Sequence, residues 1–414
     1  MNTRKQVLQN RSATHYLDDG PASKRLQTTV ALVGRTLGFP SAMINVLDAS
    51  TQHTINRIGI GGSAMTPRED VLCDLVVTTG QPLAIPDTGT DPRFAHLPVV
   101  ARGDVGCYAG VPLTGRESFT IGTLCVTDPA ARAIDDDVII RLIEFGKIVE
   151  DQLDLVRRLD EQRINRDVAT AELASAIDEE QIVPWYQPII DLATGRTLGF
   201  EALARWQHPT GGMHEPSQFI PLAEDTDLIV ELDLLVMRRA MQDVQRWQQR
   251  QPGLRLNINL SSQHFDLDGS ADRIHQTALA TGISPSTVDL EVTETTRLNP
   301  SQAVSVLNEL RRAGFGIWLD DFGTGWSALE YVLNLPITGV KIDRVVSIAL
   351  GSRPGNALTR AITGLATDLD LVTTIEGIEK AQQATLAHDL GCTYAQGYLW
   401  STPVPARKID TLLA

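Results

Sequence analysis

The stretch FGIWLDDFGTG, residues 315–325, contains the pattern that decides the fold. An apolar run ends in two adjacent carboxylates, Asp320 and Asp321, and a loop with two glycines, Gly323 and Gly325, follows. A short apolar run that stops at polar and glycine residues is typical of a buried strand. The sequence therefore predicts a buried strand that presents negative charge at its carboxyl end.

Six further apolar runs between about residues 175 and 410 are also followed by a polar side chain. These polar residues are Glu201, Asn259, Glu291, Lys341, Glu376 and Gln396. Helix-like stretches such as 301–313 and 354–368 lie between the runs, and repeated strand–helix units favour a parallel sheet. At least six units over roughly 240 residues favour a closed barrel, in which the carboxyl ends of the strands meet on one face. We predict an α/β fold with a TIM-like (β/α) barrel.

Five of the polar side chains on this face are carboxylates: Glu201, Glu291, Asp320, Asp321 and Glu376. Carboxylates that share a site repel one another and partly neutralise when no cation is bound. Hard divalent cations remove this conflict, because they prefer oxygen ligands. Asp320 and Asp321 could serve two ions, since successive residues at a strand end diverge. The pattern predicts a two-metal site, and the alternative that the two aspartates are exposed and cap the next helix stays open.

Eight motifs follow one another along this part of the chain. They are EALARW (201–206), HPTGGMHEPSQFIPLAE (208–224), INLSSQHF (258–265), LEVTET (290–295), DDFGTGWSAL (320–329), KIDR (341–344), IEGIE (375–379) and AQGYLW (395–400). With these motifs, residues 175–410 resemble the EAL-domain cyclic di-GMP phosphodiesterases. The resemblance implies a TIM-like barrel that opens cyclic di-GMP to linear pGpG with two Mg²⁺ or Mn²⁺ ions. The alternative is a receptor that binds cyclic di-GMP without cutting it, as members that have lost a metal ligand or a catalytic residue do.

The resemblance also implies a metal-ligand set and a catalytic set. The metal ligands would be Glu201, Asn259, Glu291, Asp320 and Asp321. Asp321 would hold the second ion and help to bridge the two. The catalytic residues would be Glu376, Lys341 and Gln396. Lys341 would contact the attacking water or a phosphate oxygen, Glu376 would bind or deprotonate that water, and Gln396 would complete the network of metal and water.

Further positions match residues that contact the substrate or support the site. By resemblance, Gln187, Leu203 and Arg205 would contact the dinucleotide. Glu294 would stabilise the loop that follows Asp321. The chain keeps the whole ligand set, Lys341 and Glu376, which favours the enzyme over the receptor.

Residues 22–150 have the pattern of a small α+β domain. Its predicted strands are SAMINVLD (41–48), PLAIPD (82–87), YAGVPL (108–113) and IGTLCVTD (121–128). Together with DVLCDLV (70–76) and PLAIPDTGTDPRFAHLPVV (82–100), they resemble a GAF sensory domain. We expect this domain to regulate the barrel, with an unknown small-molecule ligand or none.

The four cysteines of the chain, Cys73, Cys107, Cys125 and Cys392, form no CxxC pair. This usage suits a reducing cytosol and gives no zinc-site spacing. Those of the GAF-like region could form a redox sensor, but we favour buried structural cysteines.

Residues 135–166 almost lack glycine and proline and are predicted to form a connecting helix. Leu142, Val149 and Val156 recur every seven residues, with Phe145 and Leu159 at intervening positions. This spacing is compatible with a short two-stranded coiled coil, so we expect a homodimer. The alternative, a terminal helix packed on its own domain, stays open because the apolar series is short.

Composition excludes several other classes of protein. The net charge is −15 and no block of five basic residues occurs, which argues against binding to a nucleic acid polymer. The amino-terminal segment has no apolar core of a secretory signal, and no run is long enough for a membrane span. We expect a cytoplasmic protein.

Overall fold

The structure is a computed structural model that describes residue 10 and residues 12–17, 23–293, 300–323 and 328–413. The chain divides into two compact units, Met1–Asp167 and Val168–Ala414. None of the helices in these described ranges combines the length and the apolar character that crossing a bilayer requires.

The amino-terminal unit is built on a six-stranded antiparallel sheet. Its strands are β1 (Ser41–Leu47), β2 (Thr51–Ile58), β3 (Met65–Pro67), β4 (Leu83–Ile85), β5 (Cys107–Thr114) and β6 (Thr120–Asp128). Their order across the sheet is β3-β2-β1-β6-β5-β4. Its helices are α1 (Ser23–Leu37), α2 (Cys73–Thr79), α3 (Pro98–Ala101) and the first part of α4 (Asp136–Asp178). The four predicted strands are present, while β2 and β3 were missed because polar residues interrupt their apolar pattern.

Two hydrophobic clusters fill the amino-terminal unit. One contains Val30 and Val33 of α1 together with Leu142 and Val149 of α4. The other contains α2 residues and Tyr108. Side chains of β1, β5 and β6 enter both clusters, because successive residues of a strand point to opposite faces.

The connecting helix α4 is longer than predicted and is partly a core element of this unit. Leu142 and Val149 are fully buried in its core, so at these positions the alternative of a helix packed on its own domain describes the structure. A second set of apolar side chains on α4 is exposed, which includes Leu159 of the predicted series together with Ile148 and Leu155, which that series did not contain. Any pairing of two such helices would therefore use this second set.

The second unit contains the barrel. Its strands are β7 (Ile182–Asp191), β8 (Thr197–His208), β9 (Gly212–His214), β10 (Arg255–Asn259), β11 (Val288–Thr293), β12 (Gly316–Phe322), β13 (Gly339–Ile342), β14 (Val372–Ile375), β15 (Tyr394–Ala395) and β16 (Val404–Pro405). Its helices are α5 (Pro216–Glu224), α6 (Leu228–Gln248), α7 (Ser270–Thr281), α8 (Pro300–Arg312), α9 (Ala328–Asn334), α10 (Arg344–Ile348), α11 (Arg353–Asp368), α12 (Ala381–Asp389) and α13 (Ala406–Leu412).

Eight of these strands close into a barrel, and this confirms the predicted fold class. The ring runs β7-β15-β14-β13-β12-β11-β10-β8 and closes by pairing of β8 with β7. Neighbours from β8 through β15 are parallel, whereas β7 is antiparallel to both β8 and β15. The parallel strands put their carboxyl ends on one face of the barrel, where the polar side chains were expected.

Candidate active site at the carboxyl ends of the barrel strands

The register of the strands explains which polar side chains share the barrel interior. Residues two apart on a strand point to the same side, so Asn257 and Asn259 share one face. Asn257 pairs with Glu201 of β8, and Asn259 pairs with Glu291 of β11. These side chains therefore form neighbouring positions at one level of the barrel.

The expectation that every polar residue follows its strand holds for Glu376 and Gln396 and is wrong for Glu201, Glu291, Asp320 and Lys341, which lie inside strands. Strand β8 continues beyond Glu201 because its second half pairs with β7, as far as Trp206 opposite Ile182. Strand β11 continues to Thr293, which pairs with Asp320. The barrel register, rather than the end of each strand, brings the carboxylates to one level.

The buried ammonium of Lys341 is the centre of the cluster. Its Nζ lies 2.7 Å from Glu376 Oε1 and 2.9 Å from Glu291 Oε2. It lies 3.2 Å from Asp320 Oδ1 and 3.4 Å from Glu201 Oε1. One cation thus faces four carboxylates, with its own side chain 1% exposed.

Burial and mutual repulsion shift the protonation of this cluster. Burial raises the pKa of Glu291 well above its usual value, and Glu201 and Asp320 add to the effect. Burial also raises the pKa of Glu376 to about 7, although Lys341 opposes the shift. For Lys341, burial favours the neutral form, but the surrounding carboxylates outweigh it and raise the pKa well above the usual value. The acids carry more charge than their one buried cation compensates.

Amide side chains hold the carboxylates in place. Gln396 Nε2 donates to Glu201 Oε2 at 2.6 Å and to Gln187 Oε1 at 3.0 Å, while its buried Oε1 has no hydrogen-bond partner. Asn259 Nδ2 lies 3.4 Å from Glu201 Oε1. Asn257, which the sequence analysis missed, donates to Glu291 Oε1 at 2.8 Å. The two-residue spacing of Asn257 and Asn259 was the available signal.

The backbone is irregular at the two adjacent aspartates. The register between β12 and β13 shifts between Leu319 and Phe322, and Asp321 has a φ of +57°. This left-handed conformation is unfavourable for a side chain with a Cβ. The Asp321 amide donates to Asp320 Oδ1 at 2.9 Å, and burial together with Asp320 raises the pKa of Asp321. The two carboxylates therefore lie where the regular register of β12 is interrupted, and the expectation that they serve two ions stays a prediction.

A cavity of about 260 Å³ opens above the cluster. Its lining includes Gln187, Glu201, Leu203, Asp320, Lys341, Glu376 and Gln396. Arg344, Glu379 and Tyr398 also line it and were missed, although they stand in the KIDR, IEGIE and AQGYLW motifs. A second cavity of about 590 Å³ is lined by Asn259, and Leu203 borders both cavities.

Four of the predicted residues that the structure describes do not line the first cavity: Arg205, Asn259, Glu291 and Asp321. Arg205 Nε lies 3.0 Å from Glu215 Oε2, and its guanidinium lies 5.6 Å from the ring centroid of Trp185. Asp321 is half-buried and does not line this cavity. Glu294 lies outside the described residues, as do residues 324–327 of the loop after Asp321.

The donor set fits hard divalent cations, with one difference from a preformed shell. Carboxylate oxygens and the unpaired Gln396 Oε1 are ligands that such cations prefer. Within the described residues, however, no three carboxylate, imidazole or thiol side chains already stand as a metal shell. They converge instead on Lys341 Nζ, and in the part of the chain that the structure describes no second cation is paired with these four carboxylates.

Comparison with protein families places two domains on the chain. The EAL domain family matches residues 170–403, which is more than half of the chain. The GAF domain family matches residues 21–145.

Individual proteins give a consistent result. The cyclic di-GMP phosphodiesterase PA2567 of Pseudomonas aeruginosa is 40% identical over 230 residues, covering 55% of this chain and 39% of that protein. The bifunctional diguanylate cyclase/cyclic di-GMP phosphodiesterase MucR of the same organism is 36% identical over 241 residues, covering 58% of this chain and 35% of that protein. The chain thus spans less than two fifths of the length of either relative.

Solved structures show the same similarity. The MucR phosphodiesterase in complex with cyclic di-GMP is 36% identical, with a TM-score of 0.55 over 58% of this chain and 99% of that one. The EAL enzyme Bd1971 with cAMP and cyclic di-GMP bound, at 21% identity, has a TM-score of 0.58 over 90% of this chain and 93% of that one, and supports the fold alone.

Proposed function

The chain belongs to the EAL domain family, and from this premise we propose that it is a divalent-metal-dependent phosphodiesterase that hydrolyses cyclic di-GMP to linear pGpG. The observation that carries the proposal is the charge imbalance around Lys341, where one buried ammonium faces four carboxylates. Such a cluster gains stability from added cations and can bind a phosphodiester whose charge those cations neutralise. A receptor that binds cyclic di-GMP without cutting it would not need carboxylates in contact with a buried lysine at this site.

The proposed ligands are Glu201, Asn259, Glu291, Asp320 and Asp321, with Mg²⁺ or Mn²⁺ as the ions. When bound, two such ions would supply the positive charge that activates a water and stabilises the attacking and leaving oxygens. Gln396 would keep Glu201 oriented through its 2.6 Å hydrogen bond. Asn257 would orient Glu291 in the same way.

Glu376 and Lys341 are the proposed acid–base and charge-stabilising residues. Burial sets the pKa of Glu376 to about 7, so its carboxylate can accept a proton from water near neutral pH. Lys341 remains protonated and would place positive charge beside a phosphate oxygen. The 2.7 Å contact between the two side chains would fix the carboxylate relative to the ammonium.

The shape of the site supports a substrate with two lobes. Leu203 borders both the smaller and the larger cavity, so a ligand that crosses it can occupy the two spaces. Gln187 lines the first cavity, consistent with the proposed contact to the dinucleotide. Arg205 would contact the dinucleotide by exchanging its present partner, Glu215.

Product analysis tests the proposal. Purified full chain is incubated with cyclic di-GMP and Mg²⁺ or Mn²⁺, with a chelator in a parallel sample, and the nucleotides are separated. Formation of pGpG only with the divalent ion supports the enzyme. Tight binding of cyclic di-GMP without any linear product, across both metals, would instead identify the receptor.

We also propose that the GAF domain regulates the barrel and that the chain forms a homodimer through exposed side chains of α4. Leu155 lies seven residues after Ile148, and Leu159 follows four residues later, so the three share one side of the helix. Replacing Leu155 and Leu159 with Asp should shift light-scattering mass toward the monomer across a dilution series. Val168→Asp is the control, since Val168 is exposed on another side of α4. A wild-type chain that is monomeric throughout would contradict the dimer.

A further inference from the structure

Two free cysteines of the amino-terminal unit lie side by side beneath a cavity. Cys73 begins α2 and Cys125 lies in β6, and their Sγ atoms are 3.9 Å apart. Both side chains are buried, at 4% and 0% exposure. Nothing in the proposed phosphodiesterase chemistry uses either thiol.

The surroundings of the pair are polar, unlike those of a cysteine that only fills space. Tyr108 Oη donates to Cys73 Sγ at 3.4 Å. Asn45 Nδ2 lies 3.5 Å from Cys73 Sγ and 3.4 Å from Cys125 Sγ. Thr54 Oγ1 donates to Asn45 Oδ1 at 2.8 Å, which fixes the amide with its NH₂ group toward the sulfurs. Hydrogen-bond donors that converge on sulfur stabilise a thiolate.

The two thiols differ in acidity from each other and from the other cysteines. The hydrogen bond from Cys125, with help from Tyr108 and Asn45, lowers the pKa of Cys73 to about 7. The hydrogen bond between the two thiols, together with burial, raises the pKa of Cys125. Burial alone raises the pKa of Cys392 to about 12. Cys73 is thus the one cysteine of the four whose pKa is lowered, and a second thiol lies beside it.

A small molecule can reach the pair from one side. A cavity of about 380 Å³ is lined by Cys73, Cys125, Asn45 and Tyr108. Arg57 and Arg102 also line it. Cys107, although buried in the same sheet, is absent from this lining.

We propose that Cys73 and Cys125 form a dithiol site that a small hydroperoxide, such as hydrogen peroxide, oxidises to an intramolecular disulfide. The assignment rests on three observations: the hydrogen-bond donors around the two sulfurs, the short distance between the sulfurs, and the cavity that both cysteines line. Closing the bond requires the sulfurs to approach from 3.9 Å to about 2.05 Å.

The reaction balances in two steps. The Cys73 thiolate attacks one peroxide oxygen, the O–O bond breaks, and the departing hydroxide takes a proton to leave as water; Cys73 becomes a sulfenic acid. The Cys125 sulfur then attacks Cys73 Sγ, the S–O bond breaks, and hydroxide leaves as a second water with the proton that Cys125 gives up. The two sulfurs lose two electrons, and the peroxide gains them.

The test follows free thiols in the full chain exposed to hydrogen peroxide. After denaturation and alkylation, the oxidised chain should lose two of its four free thiols, and digestion should give a Cys73–Cys125 peptide pair lighter by two hydrogen atoms. Dithiothreitol should restore both thiols. Cys107→Ser, the matched control from the same sheet, should form the disulfide at the wild-type rate.

Variants separate this chemistry from general exposure of thiols. Tyr108→Phe keeps the buried ring and removes one donor, so oxidation should slow by about 2–10-fold as the thiolate fraction falls. Cys125→Ser should stop at a sulfenic acid that a dimedone probe traps on Cys73. Both thiols remaining free under excess peroxide, oxidation of Cys107 at the same rate, or oxidation to sulfonic acid without a disulfide would each overturn the proposal. The wild-type and Tyr108→Phe measurements decide it even if a cysteine variant fails to fold.

Discussion

Two groups of charged side chains lie inside the same barrel and differ in charge balance. At the carboxyl end, the Lys341 ammonium faces Glu201, Glu291, Asp320 and Glu376. Toward the amino ends of β10 and β11, Arg255 faces Asp289 alone, with Nε donating to Oδ2 at 2.8 Å and Nη2 donating to Oδ1 at 2.6 Å. The first group has an excess of acid, and the second is neutral.

The difference separates a site that needs a ligand from one that is already complete. The bidentate Arg255–Asp289 pair balances the charge of both partners, and Arg255 Nη1 also donates to the Ser286 carbonyl at 3.1 Å. The backbone around it is adapted as well, because a Cβ at Gly316 would lie 1.9 Å from Asp289 Oδ1. The carboxylates around Lys341 are not balanced by an equal number of cations. This is the physical reason for assigning metal ions to the carboxyl end of the barrel only.

The largest effect is expected for Glu201→Ala. Glu201 is a proposed metal ligand and also accepts the Gln396 hydrogen bond, so its removal should abolish turnover. The loss should exceed the roughly 10–100-fold fall in activity that follows removal of a residue that only supports a metal ligand. Circular dichroism and the thermal midpoint should show that the barrel stays folded. Glu309→Ala, an exposed residue of α8, is the control. Near-normal activity of Glu201→Ala with metal added would refute the ligand assignment.

Glu376→Gln should lower kcat with little change in KM. The substitution keeps the shape of the side chain and removes its ability to take a proton, which typically costs about 10²–10⁴ in rate. Glu379→Gln is the matched control, since Glu379 lines the same cavity but pairs with Arg344. Steady-state kinetics on both variants decide the matter. A raised KM with unchanged kcat for Glu376→Gln would show that Glu376 only binds substrate.

Lys341→Met should make the fold depend on divalent cations. Without the ammonium, four carboxylates would face one another, so the thermal midpoint in chelator should fall. Added Mg²⁺ or Mn²⁺ should restore it, with a gain of about 2.7 kcal/mol when the ion is present at 100 times its dissociation constant. Thermal melts of wild type and variant with and without metal measure this. If the metal raised the thermal midpoints of wild type and variant by the same amount, the ammonium and the cations would not be compensating the same excess of carboxylate charge.

The sequence was sufficient for the barrel because its polar residues recur at the same level of successive strands. It was not sufficient for the partners of those residues. Arg255 and Asp289 stand in the apolar-looking runs LRLNINL and VDLEVTE, and their pairing depends on a register between β10 and β11 that no local pattern contains. Asn257 differs from them, because its two-residue spacing from Asn259 was a local signal and only its partner, Glu291, depended on the register.

The connecting helix and the cysteines show a second limit of sequence reasoning. The seven-residue spacing of Leu142 and Val149 is equally compatible with a partner helix and with the core of the same unit, and only tertiary packing distinguishes them. Likewise, Cys73 and Cys125 are 52 residues apart in the chain, and packing of α2 against the sheet brings their sulfurs within 3.9 Å.

The smallest effect, on stability alone, is expected for Asp289→Asn. The variant leaves Arg255 without its carboxylate at a position where the Asp289 side chain is 2% exposed and the Arg255 side chain 30%. Because the guanidinium keeps some contact with water, the free energy of unfolding should fall by about 1–3 kcal/mol, the range for leaving a buried hydrogen-bonding group without its partner. Urea denaturation measures this change, and turnover per folded molecule should stay at the wild-type value. Replacing both partners, Arg255→Met with Asp289→Leu, should cost less than Asp289→Asn alone, since no charge is left unpaired. Loss of activity in a folded Asp289→Asn chain would contradict the distinction between the two ends of the barrel. The Arg255–Asp289 pair would then contribute to the chemistry of the carboxylates around Lys341.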